Sequence, residues 1–488
     1  MFLGLDLGTT NVKALVSEAS GKVVSRASAP VKVSHVGRDG VEQDIEDIWS
    51  AARQAMREVA ARADTSKVQS VGISSQGGAM QVVAADGTPM GRVISWMDGR
   101  GRPYDEKISA RLGGAWFGQH VGHGCSGIAV GQILRMRQEQ PELLRRPNRT
   151  GFVGDAIVAR LCGRAAHDAT SLSIALLYNP SLRKADPDLL RELEIAEDQL
   201  PDLLRADECA GALRGDAAEA ASLPAGLPVS PAVHDQYAAA LGCGAVGAGD
   251  VMFGAGTAWV LLAATDRLAA PVVPEAFVCT HVVEGLYGQM LSMVNGGSSF
   301  AWATKMLGLD GKSAGEVDAL LERAPAGAEG IRFWPLLAPG GGAGLGPGTA
   351  GRLSGLRLSH GPPHILRAVV EGLALELVRY LRWLSDAGVR VERLVMCGGA
   401  TASRMTPQIV ADAARVPVAC CKEADTSALG AAILARALVE RGRGLAALSR
   451  ETAPAVRTCE PGPNSPLYRD MLEEYVASLP LTEREWRS

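Results

Sequence analysis

The sequence has few of the residues that build disulfide frameworks or zinc sites. Its 488 residues include nine Cys, an odd number without a Cys-x-x-Cys pair. We therefore predict reduced thiols and a cytoplasmic location rather than a disulfide framework. The eight His do not cluster, and no acidic residue or Cys near the pair His120 and His123 completes a zinc set. This pattern argues against a structural zinc site.

A basic charge excess and long apolar runs are also missing. The formal net charge is −4, which predicts no basic surface for nucleic acid. No uninterrupted apolar stretch is long enough to span a bilayer. The N-terminal residues MFLGLDLG have no basic n-region, and Asp6 interrupts their apolar run. We therefore expect no signal peptide, no membrane partner and no nucleic-acid partner.

What is present indicates a multidomain α/β protein. A chain of this length is too long for one ordinary core. Hydrophobic residues make up 47% of the chain, charged residues 21%, and there are 57 Gly. The first segment reads strand-turn-strand, and Asp44 is a suitable N-cap for the helix that follows.

A second strand-turn-strand segment, DVMFGAGTAWVLLAATD, lies in the middle of the chain. Residues 7–16 and 255–264 share Gly-Thr at the turn and apolar flanks. Two such hairpins suggest a duplicated architecture, although two short hairpins also resemble each other by chance. We predict domains at residues 1–242 and 243–448 and a C-terminal helical tail at 449–488 that packs back on the body.

Two familiar nucleotide motifs fail on spacing or context. GLDGKS (308–313) has two residues where a P-loop has four. GCGAVG (242–247) fits G-x-G-x-x-G, but a helical run precedes it and a strand follows. A dinucleotide fingerprint needs the opposite order.

The turn DLGTTNVK is a candidate phosphate site. A glycine turn lets backbone N–H groups approach a polyphosphate, while Asp6 beside it is suited to hold Mg²⁺ through water. The alternative is a plain hairpin with a capping Asp. The candidate phosphate contacts are Gly8, Thr9, Thr10, Asn11 and Lys13.

Two later glycine turns are candidate nucleotide contacts. FGAGTAW would bind phosphates from the other side, and MCGGATAS would let a flat adenine or ribose lie against the backbone. Each could also be an ordinary turn. The candidate residues are Gly254, Gly256, Thr257, Gly398, Gly399, Ala400 and Ser403.

ISWMDGR and HDQ are candidate acceptor-site segments. Trp96 offers an apolar face, and Asp98 and Arg100 offer hydrogen bonds, a mixture that suits a polyol; a salt-bridged loop is the alternative. Asp235 is suited to take a proton from an alcohol that attacks a γ-phosphate. It could also cap the helix that follows.

Together these segments resemble the FGGY family of carbohydrate kinases, within the actin/hexokinase/Hsp70 ATPase superfamily. The resemblance covers nearly the whole chain and includes residues 351–371, which match the family signature, and CGGATAS followed by Gln408 and Asp412. It implies an α/β fold of two ribonuclease-H-like domains with a catalytic cleft between them. It also implies ATP and Mg²⁺ as cofactors, Asp235 as the catalytic base and Gln236 as a substrate contact.

The acceptor is less well specified. Xylulokinases usually read Gln-Met-His-Gly where this chain has Gln76, Gly77, Gly78 and Ala79, and glycerol kinases have Arg-Glu at the two central positions. Losing both side chains should enlarge the pocket or transfer their contacts to other residues. Asp235-Gln236 resembles glycerol kinase, whereas W-M-D-G-R resembles xylulokinase. The family's usual Gly-Glu-Arg segment is replaced by the glycine-rich loop around 340–348.

We therefore expect a xylulokinase-like enzyme that phosphorylates a small-molecule sugar, with a ketopentose such as xylulose as the first choice. Glycerol, erythritol, ribulose and sedoheptulose stay open as acceptors, and a homodimer stays open as the oligomeric state. An actin- or Hsp70-like protein that works by conformational change would share the phosphate hairpins. It would not explain Trp96, Asp98, Arg100 or Asp235.

Overall fold

Two compact units, each discontinuous in sequence, make up the computed structural model, which describes residues 1–338, 342–346, 348–453 and 455–484. Unit 1 contains Met1–Val246, Asp266–Gln289 and Asp425–Ala453. Unit 2 contains Gly247–Thr265, Met290–Ala424 and Pro454–Ser488, with the gaps just given. Residues 425–448 therefore pack with unit 1, although the sequence grouped them with the second domain. The predicted boundaries at 242 and 448 stay a prediction.

The strands are β1 (Phe2–Leu7), β2 (Asn11–Ser17), β3 (Val23–Pro30), β4 (Ser34–Val36), β5 (Gly40–Gln43), β6 (Val71–Ser75), β7 (Met80–Val83), β8 (Val93–Ile94), β9 (Arg149–Phe152), β10 (Ala166–His167), β11 (Tyr178–Asn179), β12 (Lys184–Ala185), β13 (Asp202–Leu203), β14 (Gly211–Ala212), β15 (Pro228–His234), β16 (Asp250–Ala255), β17 (Trp259–Thr265), β18 (Phe277–Thr280), β19 (Tyr287–Met293), β20 (Arg332–Trp334), β21 (Arg352–Ser354), β22 (Arg393–Cys397), β23 (Val418–Cys421) and β24 (Ala455–Cys459).

The helices are α1 (Ile45–Ala60), α2 (Arg102–Leu112), α3 (Gly114–Val121), α4 (Ala129–Glu139), α5 (Val153–Cys162), α6 (Ala169–Ile174), α7 (Pro187–Leu193), α8 (Gly215–Ala221), α9 (Asp235–Cys243), α10 (Gly297–Met306), α11 (Ala314–Leu321), α12 (Pro362–Asp386), α13 (Met405–Ala414), α14 (Thr426–Val439), α15 (Leu445–Thr452) and α16 (Ser465–Arg484).

Unit 1 is built on an eight-stranded sheet with the order β13-β10-β15-β6-β1-β2-β3, and β14 also pairs with β15. The hairpin of β1 and β2 is antiparallel, whereas β1 pairs with β6, and β6 with β15, in parallel. Helix α1 covers this sheet with its buried apolar face, and its N-cap is Asp44, as predicted: the carboxylate accepts a hydrogen bond from Glu46 N at 2.9 Å. A second sheet has the order β4-β5-β8-β7-β9.

Unit 2 repeats the opening topology. Its main sheet contains the order β17-β16-β22-β23-β24. Strand β16 pairs with β17 in an antiparallel hairpin and with β22 in parallel, as β1 does with β2 and β6. Unit 2 also contains the long helix α12, which has 25 residues. The two-domain α/β fold predicted from sequence is thereby confirmed, while the predicted cleft stays a prediction.

Helix α14 packs closely against the unit 1 sheet at positions occupied by glycine. A Cβ on Gly4 of β1 would lie 1.9 Å from Ala428 O, and one on Gly72 of β6 would lie 1.8 Å from Ala431 O. A Cβ on Gly430 of α14 would lie 1.8 Å from Ala238 O of α9. These distances leave no room for a side chain, so the glycines set how closely the helix approaches.

Across the part of the chain that the structure describes, no helix combines the length and the apolar character needed to cross a membrane. The glycine-rich loop around 340–348 lies partly outside the described residues.

Candidate functional site

The carboxyl ends of three parallel strands bring the predicted acidic residues of unit 1 to one edge of the sheet. Leu7 of β1 pairs with Ser75 of β6, and Ser75 pairs with His234 of β15. Asp6 therefore lies near the end of β1, and Asp235 follows the end of β15 directly. We call this edge the carboxylate edge. In parallel α/β sheets, ligands bind beyond the carboxyl ends of the strands.

Asp6 is a carboxylate in an unfavourable environment. Ser74 Oγ donates a hydrogen bond to its Oδ1 at 2.8 Å. Burial and the nearby charge of Asp235 together raise the pKa of Asp6 to about 7. A divalent cation would relieve both effects, because it supplies the opposite charge that this position lacks.

Asp235 is the first residue of α9, so the predicted helix-capping role is wrong. His234 occupies the N-cap position, and its side chain makes no capping hydrogen bond. Oδ1 of Asp235 accepts a hydrogen bond from Gln236 Nε2 at 3.2 Å. Among the described residues, no side chain donates to Oδ2, and the backbone N–H of Gln236 also bonds this carboxylate. Burial raises the pKa of Asp235 to about 6, which makes it a stronger proton acceptor than an exposed Asp.

The β1–β2 turn has the close backbone packing expected of a glycine turn. Gly8 N donates to Asn11 O at 3.1 Å, and a Cβ on Gly8 would lie 2.7 Å from the same oxygen. Thr10 and Asn11 are exposed on the turn. Lys13 Nζ lies 2.8 Å from Asp425 Oδ1, so its charge is paired within unit 1.

Thr9 links this turn to two predicted substrate contacts. Its hydroxyl donates to Gln76 Oε1 at 2.9 Å and accepts from Trp96 Nε1 at 3.0 Å. Gln43 Nε2 donates to the Thr9 carbonyl at 2.8 Å, and Gln76 Nε2 donates to Gln43 Oε1 at 3.0 Å. The structure thus brings together Thr9, Gln76 and Trp96, with Gln43 as a member that sequence reasoning missed.

Asp98 and Arg100 form a buried loop anchor beside Trp96. The Asp98 side chain is 0% exposed, and its Oδ2 accepts from Val41 N at 2.8 Å and Arg100 Nη2 at 2.6 Å. Arg100 Nη2 also donates to Glu42 Oε1 at 2.7 Å. This is the salt-bridged loop considered as an alternative. Trp96, by contrast, is 47% exposed and presents its ring to solvent.

The space beside Gly77 and Gly78 is filled by other side chains. A Cβ on Gly77 would lie 2.4 Å from His234 Cδ2 and 2.5 Å from Ile174 Cγ2. Gly78 has φ +73°, and a Cβ there would lie 2.3 Å from Ile128 Cγ2. The two outcomes expected from sequence, a larger pocket or transfer of the substrate contacts to other residues, both stay predictions.

Unit 2 contains a cavity of about 560 Å³ beside its own hairpin. Glycine turns lie along one side, where Gly297 N donates to Gly256 O at 3.2 Å and Ser298 N donates to Thr257 O at 2.9 Å. The walls are largely apolar, which suits a flat heterocycle. The cavity is lined in part by the predicted residues Gly256, Thr257, Gly399, Ala400 and Ser403.

Gly254 and Gly398 support this cavity from strand ends and do not line it. Gly254 lies within β16, paired with Cys397 of β22. Gly398 has φ +90°, and a Cβ there would lie 2.9 Å from Ala255 O. Glycine at this position lets the turn after β22 cross the end of β16.

Sequence reasoning missed most of the apolar lining of the cavity. Helical periodicity marks such residues as core, and no local signal distinguishes a cavity wall from a core face. Lys312 belongs to the segment that fails as a P-loop, yet it lines this cavity. The missed lining residues include Trp259, Phe300, Ala301, Val317, Val370 and Leu373.

Asp318 holds the loop that carries Ser403. Ser403 Oγ donates to Asp318 Oδ1 at 2.5 Å, and Arg404 N donates to Oδ2 at 2.7 Å. Helix α13 begins at Met405, two residues after Ser403. Gln408 Nε2 donates to Asp412 Oδ1 at 2.8 Å, and neither residue is among those lining the cavity.

Comparisons with known proteins agree over nearly the whole chain. The model of the FGGY family of carbohydrate kinases, N-terminal domain, matches residues 1–242, and that of its C-terminal domain matches residues 251–438. The chain is 26% identical to a xylulose kinase of Escherichia coli over 84% of both chains. It is 29% identical to a glycerol kinase of Citrifermentans bemidjiense over 89% of both.

A solved structure also matches. The crystal structure of xylulose kinase from Rhodospirillum rubrum superposes with a TM-score of 0.87 at 25% identity, covering 99% of this chain and 100% of that one.

Proposed function

The chain belongs to the FGGY family of carbohydrate kinases, and from that premise we propose that it phosphorylates a ketopentose such as xylulose, with Asp235 as the general base. Phosphate transfer from ATP to a sugar or polyol is the activity of the family. The choice of acceptor and the residue roles are the proposal. An actin- or Hsp70-like protein without phosphotransfer no longer accounts for the chain.

The observation that carries the proposal is the pair of carboxylates at the carboxylate edge. Asp235 has a raised pKa of about 6, and no side chain of the described residues donates to its Oδ2. A hydroxyl placed there would lose its proton to Oδ2 while its oxygen attacks the γ-phosphorus and the bond to ADP breaks. Proton removal makes the oxygen a better nucleophile.

Asp6 is the residue proposed to hold Mg²⁺. Mg²⁺ retains most of its waters and needs only one or two carboxylates, so a dedicated cluster is not required; the described residues contain no group of three or more His, Cys, Asp or Glu suited to a metal. The raised pKa of Asp6 fits a position that binds a cation. When bound, Mg²⁺ neutralises charge on the phosphate oxygens.

The remaining predicted residues are assigned by their surroundings. We assign the nucleoside to the unit 2 cavity, with Gly399, Ala400 and Ser403 against the ring system. The turn with Gly8, Thr9 and Thr10 is assigned to phosphate, in keeping with exposed donors on a glycine turn. Asp98 would act on substrate by holding the loop of Trp96, because its own carboxylate is fully buried.

A polyol is the second candidate acceptor. Asp235 followed by Gln236 resembles glycerol kinase, and a glycerol kinase is among the relatives. Glycerol, erythritol, ribulose and sedoheptulose should therefore be compared with xylulose. Measuring ADP release in a coupled assay across this panel ranks them by kcat/KM. If no acceptor raises turnover above the rate with ATP alone, the proposed function is wrong.

Replacing the base tests its role directly. Asp235→Asn should lower kcat with the best acceptor about 10²–10⁴-fold and leave the acceptor KM nearly unchanged, because the amide keeps the shape but cannot take the proton. Asp216→Asn is the matched control, since the Asp216 side chain is 68% exposed. Equal kcat values for the two variants would remove Asp235 from the mechanism.

A further inference from the structure

His234 stands at the centre of the carboxylate edge, and the proposed mechanism gives it no part. It is the last residue of β15 and directly precedes Asp235. Its side chain is only 6% exposed. The His234 backbone N–H is satisfied by Thr170 Oγ1 at 3.1 Å, so the main chain at this point is held independently of the imidazole.

The imidazole takes the volume that a side chain at position 77 would need. A Cβ on Gly77 would lie 2.4 Å from Cδ2 and 2.7 Å from Nε2 of His234. Contacts below about 3 Å between such atoms cannot persist, so something must move. Glycine at 77 and histidine at 234 therefore depend on each other sterically.

The two ring nitrogens have different surroundings. Nε2 lies 3.3 Å from Asp235 Oδ1. Nδ1 is buried and has no hydrogen-bond partner among the described residues. A neutral imidazole carries one N–H. With that proton on Nδ1, a lone pair on Nε2 would face the carboxylate and a buried N–H would lack an acceptor. The tautomer with the proton on Nε2 avoids both the repulsion between that lone pair and the carboxylate and the unsatisfied buried N–H.

Burial also keeps the ring uncharged. It lowers the pKa of His234 to about 3. A ring that stays neutral cannot compete with Asp235 for the proton of an attacking hydroxyl, and it cannot form a fixed ion pair that would lower the basicity of the carboxylate. What remains available to the ring is one N–H, on the nitrogen that lies 3.3 Å from Asp235 Oδ1.

That oxygen is the one that needs to be held. Oδ1 of Asp235 accepts from Gln236 Nε2 at 3.2 Å and faces His234 Nε2. Among the described residues, no side chain donates to Oδ2. A hydrogen bond from Nε2–H to Oδ1, added to the one from Gln236, would fix the carboxylate plane and so the direction in which Oδ2 points.

We propose that His234 is a positioning residue: from the space left by Gly77, its Nε2–H orients the Asp235 carboxylate so that Oδ2 receives the proton of the acceptor hydroxyl. This rests on the proposed function, in which Asp235 is the base. In the step, the hydroxyl O–H bond breaks, its oxygen bonds to the γ-phosphorus, and ADP leaves with the electrons of the broken P–O bond. The proton goes to Asp235, and His234 keeps its own.

A pair of variants separates orientation from filling of space. His234→Gln keeps an N–H donor at a similar reach, whereas His234→Met fills comparable volume without one. With the best acceptor we expect His234→Met to lower kcat about 10²-fold, the size of effect that misplacing a reacting group by about 1 Å produces. Acceptor KM should stay within about twofold, and His234→Gln should recover most of the kcat. Equal kcat losses in both variants, or a loss confined to KM, would overturn the proposal.

A second measurement does not depend on turnover. Nitrogen-15 NMR of histidine-labelled protein, with the His234 signals assigned from the His234→Gln spectrum, reports which ring nitrogen carries the proton. We expect Nε2–H, neutral at every pH at which the protein stays folded, and a shift of the Nε2 signal in Asp235→Leu. A ring protonated on Nδ1, or one that titrates near pH 6.5, would overturn the proposal even if no acceptor were found.

Gly77→Ala tests the steric part against a matched glycine. The added methyl should displace the ring, change the His234 nitrogen signals and lower kcat towards the value of His234→Met. Gly215→Ala is the control, because nothing lies within 4 Å of a Cβ at that position. Unchanged His234 signals in Gly77→Ala would show that the ring does not depend on the space at 77. A total absence of kinase activity, with the expected NMR results, would reject the proposed function and leave the contact itself supported.

Discussion

At the scale of single residues, Asp235 carries an electrostatic cost in the folded protein. Its pKa is about 6, above the ordinary Asp value of 3.8, because burial disfavours the charged form. Between these two pH values the folded state binds more protons than the unfolded state, so stability falls as pH rises through this range. Near neutral pH the carboxylate is charged and the whole cost is present.

Asp235→Asn should therefore make the protein more stable while it lowers kcat. The shift corresponds to at most about 3 kcal/mol, and because the side chain is 26% exposed, we expect about 1–2 kcal/mol at pH 7.5. Denaturant unfolding of wild type, Asp235→Asn and the control Asp216→Asn measures it. The gain should shrink as pH falls towards 4. If Asp235→Asn were less stable than wild type at both pH 7.5 and pH 4, burial of the charged carboxylate would not be destabilising the folded protein.

Some residues of the unit 1 site could be identified from the sequence, and others could not. The order of motifs was sufficient to select Asp6 and Asp235 through the resemblance. Local pattern could not distinguish Trp96, which is half exposed, from Asp98, which is fully buried two residues later. Gln43 has no motif of its own, and it joins Gln76 and Thr9 only because β5 lies close to both in space.

At the scale of secondary-structure elements, the packing of α14 against β1 and β6 is close enough that a single added methyl group should disrupt it. Gly72→Ala should place a Cβ 1.8 Å from Ala431 O, and backbone atoms can yield only by moving the helix. We expect a loss of at least about 2 kcal/mol in the free energy of unfolding, measured by denaturant titration. Gly215→Ala is again the control. If both variants unfold alike, α14 is not held at this distance.

Helix α16 is tied to α12 by buried polar groups as well as by apolar packing. Tyr468 Oη donates to Glu371 Oε1 at 2.8 Å, and Arg367 Nε donates to the same oxygen at 2.7 Å. About two turns further along α16, Tyr475 Oη donates to Glu376 Oε2 at 2.8 Å. Both tyrosines are buried, so the two bonds fix the register between the helices.

Tyr468→Phe should release this attachment. It removes the hydrogen bond to the buried Glu371 carboxylate and the one that Arg367 Nη2 donates to the hydroxyl, which costs about 1–3 kcal/mol, while the ring still fills its space. Limited proteolysis should then cleave near the C-terminus faster than in wild type. Arg469→Ala, on the neighbouring exposed position, should leave the cleavage rate unchanged. A cleavage rate in Tyr468→Phe equal to that of Arg469→Ala would mean that apolar packing alone holds α16.

Elements with strong local signals could be predicted, and those defined by distant partners could not. The two hairpins, α1 with its Asp44 cap, and α12 all follow from turn residues, capping and helical period. Helix α14 is apolar enough to read as a core helix, but nothing in its own residues indicates that it packs with β1 and β6, more than 350 residues earlier in the chain. Most of the apolar lining of the unit 2 cavity was missed for the same reason, because its walls come from five separate segments.

At the scale of the whole molecule, the two units should respond to different ligands. The nucleoside is assigned to unit 2 and the acceptor to unit 1. Hydrogen exchange with a non-hydrolysable ATP analogue alone should slow amides in 255–259, 297–301 and 399–403. The best acceptor alone should slow amides in 76–78 and 234–238, because ligand binding stabilises the segments it contacts. Protection by the acceptor confined to the unit 2 segments would reverse the assignment.

The discontinuity of unit 1 has a consequence for the order in which the protein is made. About 180 residues separate Val246 from Asp425, so at ~5–20 residues per second the ribosome needs roughly 10–40 s to cover that interval. Throughout it, the glycine-lined surface of β1 and β6 has no helix to cover it. Unit 1 cannot finish folding as the first product of translation, and we expect nascent chains of this length to be the species that chaperones bind and that proteases cleave.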